Sequence, residues 1–313
     1  LAMSVGLPPA EVAAVLAILR RRALVVAGAP VWPLREMDSL HPGGPLQPPA
    51  FDLTAQPMAA VATQAAWRAE EFARLTARLL EVWQQRPPAR LQAGGLPRRE
   101  LRRTAEALDL AESEAAVVIE TAAVAGLVVP GDRRETRLLP TDRVPSWRAA
   151  PLGEQWAQLV APWPRSPRAA WLVGSRTERG TLRAALSTEV ERGWVPRLRQ
   201  RVLHTLAQLP PGRAPEAGQL HELLTWQAPR APIERSQLEA VVTEAELLGL
   251  TGGRALSDAA RLLLDLQAPV SQLRAELSAA LVAALPPEVD ELIVQGDLTG
   301  VVPGRPTPAL AAL

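Results

Sequence analysis

The chain of 313 residues has no cysteine, no lysine and no tyrosine, and only three histidines. Lacking cysteine, it forms no disulfide, no thiolate nucleophile and no cysteine-held metal centre. Lacking lysine, it cannot build the phosphate loop G-x-x-x-x-G-K-[ST], so it is not by itself an ATP-driven motor of that kind. His221-Glu222-Leu223-Leu224-Thr225 begins like the zinc-protease helix H-E-x-x-H, but Thr225 stands where the second histidine is needed. His41 and His204 lie far off in sequence, and no G-x-S-x-G nucleophile elbow occurs. The expectation is a non-catalytic protein without metal or cofactor. No apolar run approaches the ~20 residues that cross a bilayer, and no basic-then-apolar leader opens the chain. The expected setting is the cytoplasm, with no membrane partner. The chain opens on Leu1 rather than methionine, and its last residues carry no capping signature, as expected of a piece of a longer protein.

What the chain does have is arginine, which supplies all 34 basic residues against 33 acids. With abundant alanine, leucine and proline, this reads first as a coding bias toward G and C. The charge is uneven, however. Residues 86–201 hold 20 arginines against 13 acids, whereas residues 202–313 hold 7 against 13. A basic middle beside an acidic end fits a polyanion-binding face on the middle region; solvated helix faces fit it equally well.

Residues 91–139 set the pattern for the rest. Leu101, Ala105 and Leu108 recur at helical spacing with arginines on the other face, and Pro97 suits a helix start. Asp109-Leu110-Ala111 makes a turn. Glu112 and Glu114 open a second helix, where acids complement the positive end of the dipole. Val117, Val118, Thr121 and Val124 carry it to Gly126, placed as a helix-ending glycine. Leu127-Val128-Val129 reads as a strand, Pro130-Gly131-Asp132 as a turn and Arg137-Leu138-Leu139 as the return strand. Helix, turn, helix, hairpin is the winged-helix layout, whose second helix enters the major groove in helix-turn-helix proteins.

The order repeats. Residues 196–209, 216–226 and 232–248 read as helices, and Gly249 before Leu250-Thr251 echoes Gly126 before Leu127-Val128. Gly252-Gly253 is a tight turn, and Ser257 is placed to cap a following helix. A partial copy comes first: a helix at 7–22, then a hairpin over Gly28-Ala29-Pro30. Residues 58–85 read as a long helix or helix pair with Trp67, Phe72, Leu75, Leu79, Leu80 and Trp83 as buried anchors. Helix is expected at 147–159 and at 271–285, and strand at 291–302. The expected fold is mainly α with small β-hairpins, arranged as tandem winged-helix domains. Residues 1–57 hold the partial unit and a linker, 58–161 the central unit, 162–268 the third unit, and 269–313 a helix and the start of a further domain.

Nucleic acid is the leading partner. Arg98, Arg99, Arg102 and Arg103 fall along one side of the first helix, and Arg133, Arg134 and Arg137 surround the wing tip. Together they are expected to grip the backbone of a DNA duplex or junction, which gives affinity and salt dependence but no sequence reading. The second helices oppose base reading. They carry Glu114 and Glu120 in one copy and Glu234, Glu239, Glu244 and Glu246 in the other, where arginine, asparagine or glutamine would be needed. Either the wing and first helix bind duplex without sequence preference, or the units dock proteins.

Several segments together resemble a known family: LQAGGLPRRELRRTAEALDL with AVAGLVV, then SWRAAPLGEQWAQL, EAELLGLTGGRALSDAARLLL and the closing LPPEVDELIVQGDLTGVVPG. They are similar to actinobacterial helicase-associated proteins that carry a domain like a conserved region of XPB-type helicases. The resemblance implies tandem winged helices followed by that XPB-like domain, of which 269–313 would hold only the start. It also implies a nucleoid-associated role in DNA repair or transcription-linked DNA processing, with a helicase or other repair protein as partner.

Overall fold

The computed structural model describes residues 9–21, 25–26, 32–33, 49–130, 136–265, 267–296, 299–307 and 310. The chain forms two compact units, Leu1–Ala50 and Phe51–Leu313, and is mainly helical, with 56% helix and 11% strand. The first unit holds helix α1 (Pro9–Arg21) and an antiparallel hairpin, β1 (Val25–Val26) with β2 (Trp32–Pro33). Helix then hairpin is the order expected there; the hairpin turn lies outside the described residues.

The second unit is built on α2 (Met58–Gln85), a single helix of 28 residues. Val61, Ala65, Ala69, Phe72, Thr76, Leu79 and Trp83 recur every three or four residues and are all buried, so one stripe of the helix faces the core. Trp83 is fully enclosed and donates Nε1–H to Thr104 Oγ1 at 3.1 Å. Trp67, expected inside, is 60% exposed. It stands two residues from both Ala65 and Ala69, half a helical turn from the buried stripe.

An isolated antiparallel bridge of Ala89 with Arg137 follows α2: Leu138 N donates to Pro88 O at 3.0 Å and Arg90 N to Thr136 O at 2.7 Å. Next come α3 (Arg98–Leu108), α4 (Glu112–Val124) and the antiparallel hairpin of β4 (Val128–Pro130) and β5 (Leu138–Pro140). Asp109 turns between the helices at φ 57°, and Gly126 ends α4 at φ 75°, the left-handed geometry that favours glycine. The helical stretch expected at 147–159 is two helices, α5 (Val144–Ala149) and α6 (Leu152–Val160), because Pro151 cannot continue the first.

The second run of elements is α7 (Val195–Gln208), α8 (Ala217–Gln227), α9 (Arg235–Leu247) and a hairpin. The strands β3 (Thr54–Ala55) and β6 (Arg213–Ala214) pair with each other, and β6 packs beside that hairpin, β7 (Thr251–Gly252) with β8 (Ala255–Leu256). Gly253 and Arg254 form its two-residue turn with φ of 50° and 69°, the backbone that a tight hairpin requires. Gly249 repeats the role of Gly126 but is more constrained, because a Cβ there would lie 2.5 Å from Ala65 O of α2. Ser257 Oγ accepts from Ala260 N at 3.2 Å and caps α10 (Asp258–Arg261).

Helix α11 (Val270–Ala284) runs against α6, where a Cβ on Gly153 would meet Ser278 Oγ at 2.5 Å. Four short strands follow: β9 (Glu288–Val289), β10 (Ile293–Val294), β11 (Gly300–Val301) and β12 (Arg305–Pro306). The outer two pair in parallel and the inner two antiparallel, and Arg305 ties the segment to Glu70 of α2 at 3.3 Å. One hydrophobic core reaches from Ala66 to Leu281, continuous past residues 161 and 268. Trp156 shows how: it donates Nε1–H to Leu248 O at 2.7 Å, joining α6 to the end of α9. Among the described residues, no helix is long and apolar enough to cross a membrane.

Candidate nucleic-acid interface

Helix α3 buries Leu101, Thr104, Ala105 and Leu108 and turns its arginines outward. The side chains of Arg98, Arg99 and Arg102 are 57%, 79% and 59% exposed. The structure brings all four expected arginines of this helix together, but over two carboxylates. Arg98 Nε donates to Glu112 Oε2 at 3.3 Å and Arg102 Nε to Glu112 Oε1 at 3.2 Å. Arg103 Nη2 lies 2.6 Å from Glu100 Oε2 as a charge contact without an aligned hydrogen bond, and Arg99 Nε lies 3.6 Å from Glu100 Oε1. Four guanidinium groups sharing two carboxylates leave this cluster a positive excess, and the exposed pairs on Glu112 contribute only about 0–1 kcal/mol each. The hydrogen bond from Arg102, reinforced by Arg98 against partial desolvation, holds the Glu112 carboxyl below its ordinary range.

Arg137 is exposed and pairs through its backbone with Ala89. Arg133 and Arg134 lie outside the described residues, so the expected meeting of wing tip and α3 has no described geometry. Exposed Arg86 and half-buried Arg90 stand either side of the Ala89 bridge to Arg137. Neither stood out in the sequence, because a one-residue bridge leaves no alternation to read.

Helix α4 is enclosed. Every residue from Ala115 to Ala122 is buried, so across that stretch no side is free to enter a groove. The segment at 163–191 covers it: Leu186 N donates to Glu120 Oε1 at 2.7 Å, and Arg168 pairs with both Glu120 and Glu191. Glu244 of α9, the matching helix of the second run, is equally buried. It accepts from Arg199 Nη2 at 2.7 Å and from Trp163 Nε1 at 2.9 Å. The Arg199 guanidinium also stacks 4.7 Å from the Trp163 ring centroid and donates to the carbonyls of Trp163 and Ser166. The expectation that these acids stand where base-reading side chains would be needed is therefore corrected for Glu120 and Glu244, which are buried in the core. Burial pushes the Glu120 carboxyl above its usual range, with Arg168 opposing.

No group of three or more histidine, aspartate or glutamate side chains is placed to hold a metal ion among the described residues. His221 Nε2 is 2.7 Å from Ile233 O, a backbone contact that fixes the ring. Comparison with family models, curated proteins and solved structures finds no match to the chain.

Proposed function

We propose that the chain is a non-catalytic module of tandem winged-helix units that grips DNA backbone without reading sequence, working beside a helicase in DNA repair or transcription-linked processing. Two runs of helix, extended pairing, helix, helix and hairpin support the winged-helix reading: α2, the Ala89 bridge, α3, α4 and β4–β5, then α7, β6, α8, α9 and β7–β8. The observation that carries the binding is the arginine excess on the exposed face of α3. With α4 enclosed, no base-reading helix accompanies it, so contacts fall on phosphate. The helicase and repair setting rests on the sequence resemblance alone.

The test is a salt titration of binding to a short duplex of random sequence. Affinity should fall with a log–log slope of about 0.9 per phosphate contacted. Changing Arg98, Arg99, Arg102 and Arg103 to alanine together should weaken binding at least about tenfold and flatten the slope. Equal affinity of variant and native chains would overturn the reading.

A second reading, a protein-docking scaffold, is favoured by Trp67. Its exposed ring borders a surface cavity of about 260 Å³ that is also lined by Phe72, Leu110, Val118 and Leu247, and large exposed aromatics are enriched at protein contacts. Loss of a captured protein on Trp67→Ala, with the duplex titration unchanged, selects this reading. Clear duplex binding without any captured protein counts against it.

A further inference from the structure

We infer that Glu112 is an intramolecular stand-in for a phosphodiester, a carboxylate that keeps the Arg98–Arg102 pair occupied until nucleic-acid backbone displaces it. This deepens, and rests on, the reading of α3 as a backbone-binding face. Arg98 and Arg102 stand one turn apart on α3, and each gives its Nε–H to a different oxygen of the same carboxylate, at 3.3 Å and 3.2 Å. A phosphodiester offers the same chemistry: one negative charge shared by two acceptor oxygens. Among the described residues, neither arginine has another ion pair or hydrogen bond, so four of the five N–H donors on each guanidinium remain for a ligand.

The two carboxylates of the cluster differ in what else they do. Glu100 is nearly enclosed, its side chain 10% exposed, whereas that of Glu112 is 34% exposed. Glu112 is also not needed to cap α4. That is done by Glu114, whose Oε2 accepts from Ala111 N at 3.2 Å. Among the described residues the Glu112 carboxylate has no partners but the two arginines, so it can swing into solvent without leaving a buried group unpaired. Displacing it costs no more than an exposed ion pair, and a dense polyanion supplies that where a lone chloride does not. The face is thereby shielded from weak anions and opens to backbone.

The experiment compares native chain, Glu112→Gln, Glu106→Gln and the Arg98→Ala/Arg102→Ala double variant, each confirmed folded by thermal unfolding, against the same random duplex at several salt concentrations. Glu106 sits on α3 with the arginines, is exposed, forms no ion pair with them among the described residues, and controls for simple loss of negative charge. Glu112→Gln should bind about fivefold more tightly than native with a steeper salt slope, while Glu106→Gln stays within about twofold. Equal gains from both glutamine variants would show bulk charge at work and overturn the inference. No gain from Glu112→Gln, with binding still lost in the arginine double variant, overturns the stand-in role but leaves the backbone-binding reading intact. Absence of binding by native chain and Glu112→Gln alike overturns both.

Discussion

Helices α3 and α4 are neighbours in sequence and pack together, yet they place their charge in opposite ways. On α3 the arginines face solvent, Arg98 and Arg102 over the partly wet Glu112 at the start of α4; further along α4, Glu120 faces inward and is held by Arg168. The second run repeats only the inward half. Its α9 buries Glu244 against Arg199, but its α8, AGQLHELLTWQ, carries no arginine. The comparison separates two uses of the same ion pair. Exposed pairs are cheap to open and suit exchange with a ligand. Buried pairs add little net stability but are costly to break from one side, so they fix how helices sit. The exposed arginine face is thus a property of one copy, whereas the inward charges tie α4 and α9 to the segment at 163–191, where the Arg168, Trp163 and Ser166 carbonyls also meet Arg199.

The strongest way to break this comparison is to remove one inward partner. Arg199→Met leaves Glu244 buried and uncompensated and should cost about 3–5 kcal/mol in urea unfolding. Adding Glu244→Leu should restore part of that loss, because it removes the uncompensated charge while the Trp163 Nε1–H and the Trp163, Ser166 and Arg168 carbonyls stay without these partners. Equal destabilisation in single and double variants would show that these charges are not acting as a pair.

A smaller effect separates the two copies at their helix-ending glycines. Gly249→Ala meets both a left-handed backbone and the Ala65 carbonyl at 2.5 Å, and should cost about 2–4 kcal/mol. Gly126→Ala meets the same backbone penalty but only the mobile Arg143 Nη1 at 3.1 Å, and should cost about 1–2 kcal/mol. Matching losses in thermal unfolding would mean that the second hairpin does not stand on α2.

What could be read from the sequence was local. The spacing of Leu101, Ala105 and Leu108 located α3, Gly126 and Gly249 marked two helix ends, and Ser257 announced a cap that is present. What escaped was long-range. Arg168 lies 48 residues from Glu120 and Arg199 lies 45 from Glu244, so no period links them and both acids read as solvent-facing. Glu112 is 14 residues from Arg98, and its pairing follows from how α4 docks on α3. Trp67 misled for the opposite reason: size suggested burial, while its angular position relative to Ala65 and Ala69 already placed it outside.

The finest distinction is in pH, where the glutamates of α4 should act with opposite sign. Burial raises the Glu120 carboxyl above its ordinary value of 4.5. The folded state then holds that proton more tightly than the unfolded chain, so its contribution is full below 4.5 and is lost as pH rises through the raised value. Glu112 is lowered from 4.5 by Arg102 and Arg98. Its contribution is full above 4.5 and is lost as pH falls through the lowered value, and it stays within the ~0–1 kcal/mol of an exposed pair. Urea unfolding of Glu120→Gln and Glu112→Gln beside the native chain should therefore diverge. Glu120→Gln should gain on the native chain as pH rises from 4.5, while Glu112→Gln should trail it at neutral pH and draw level in acid. Parallel curves would mean that inward and outward carboxylates feel the same surroundings, and the contrast between α3's wet face and α4's enclosed one would fail at the residues that define it.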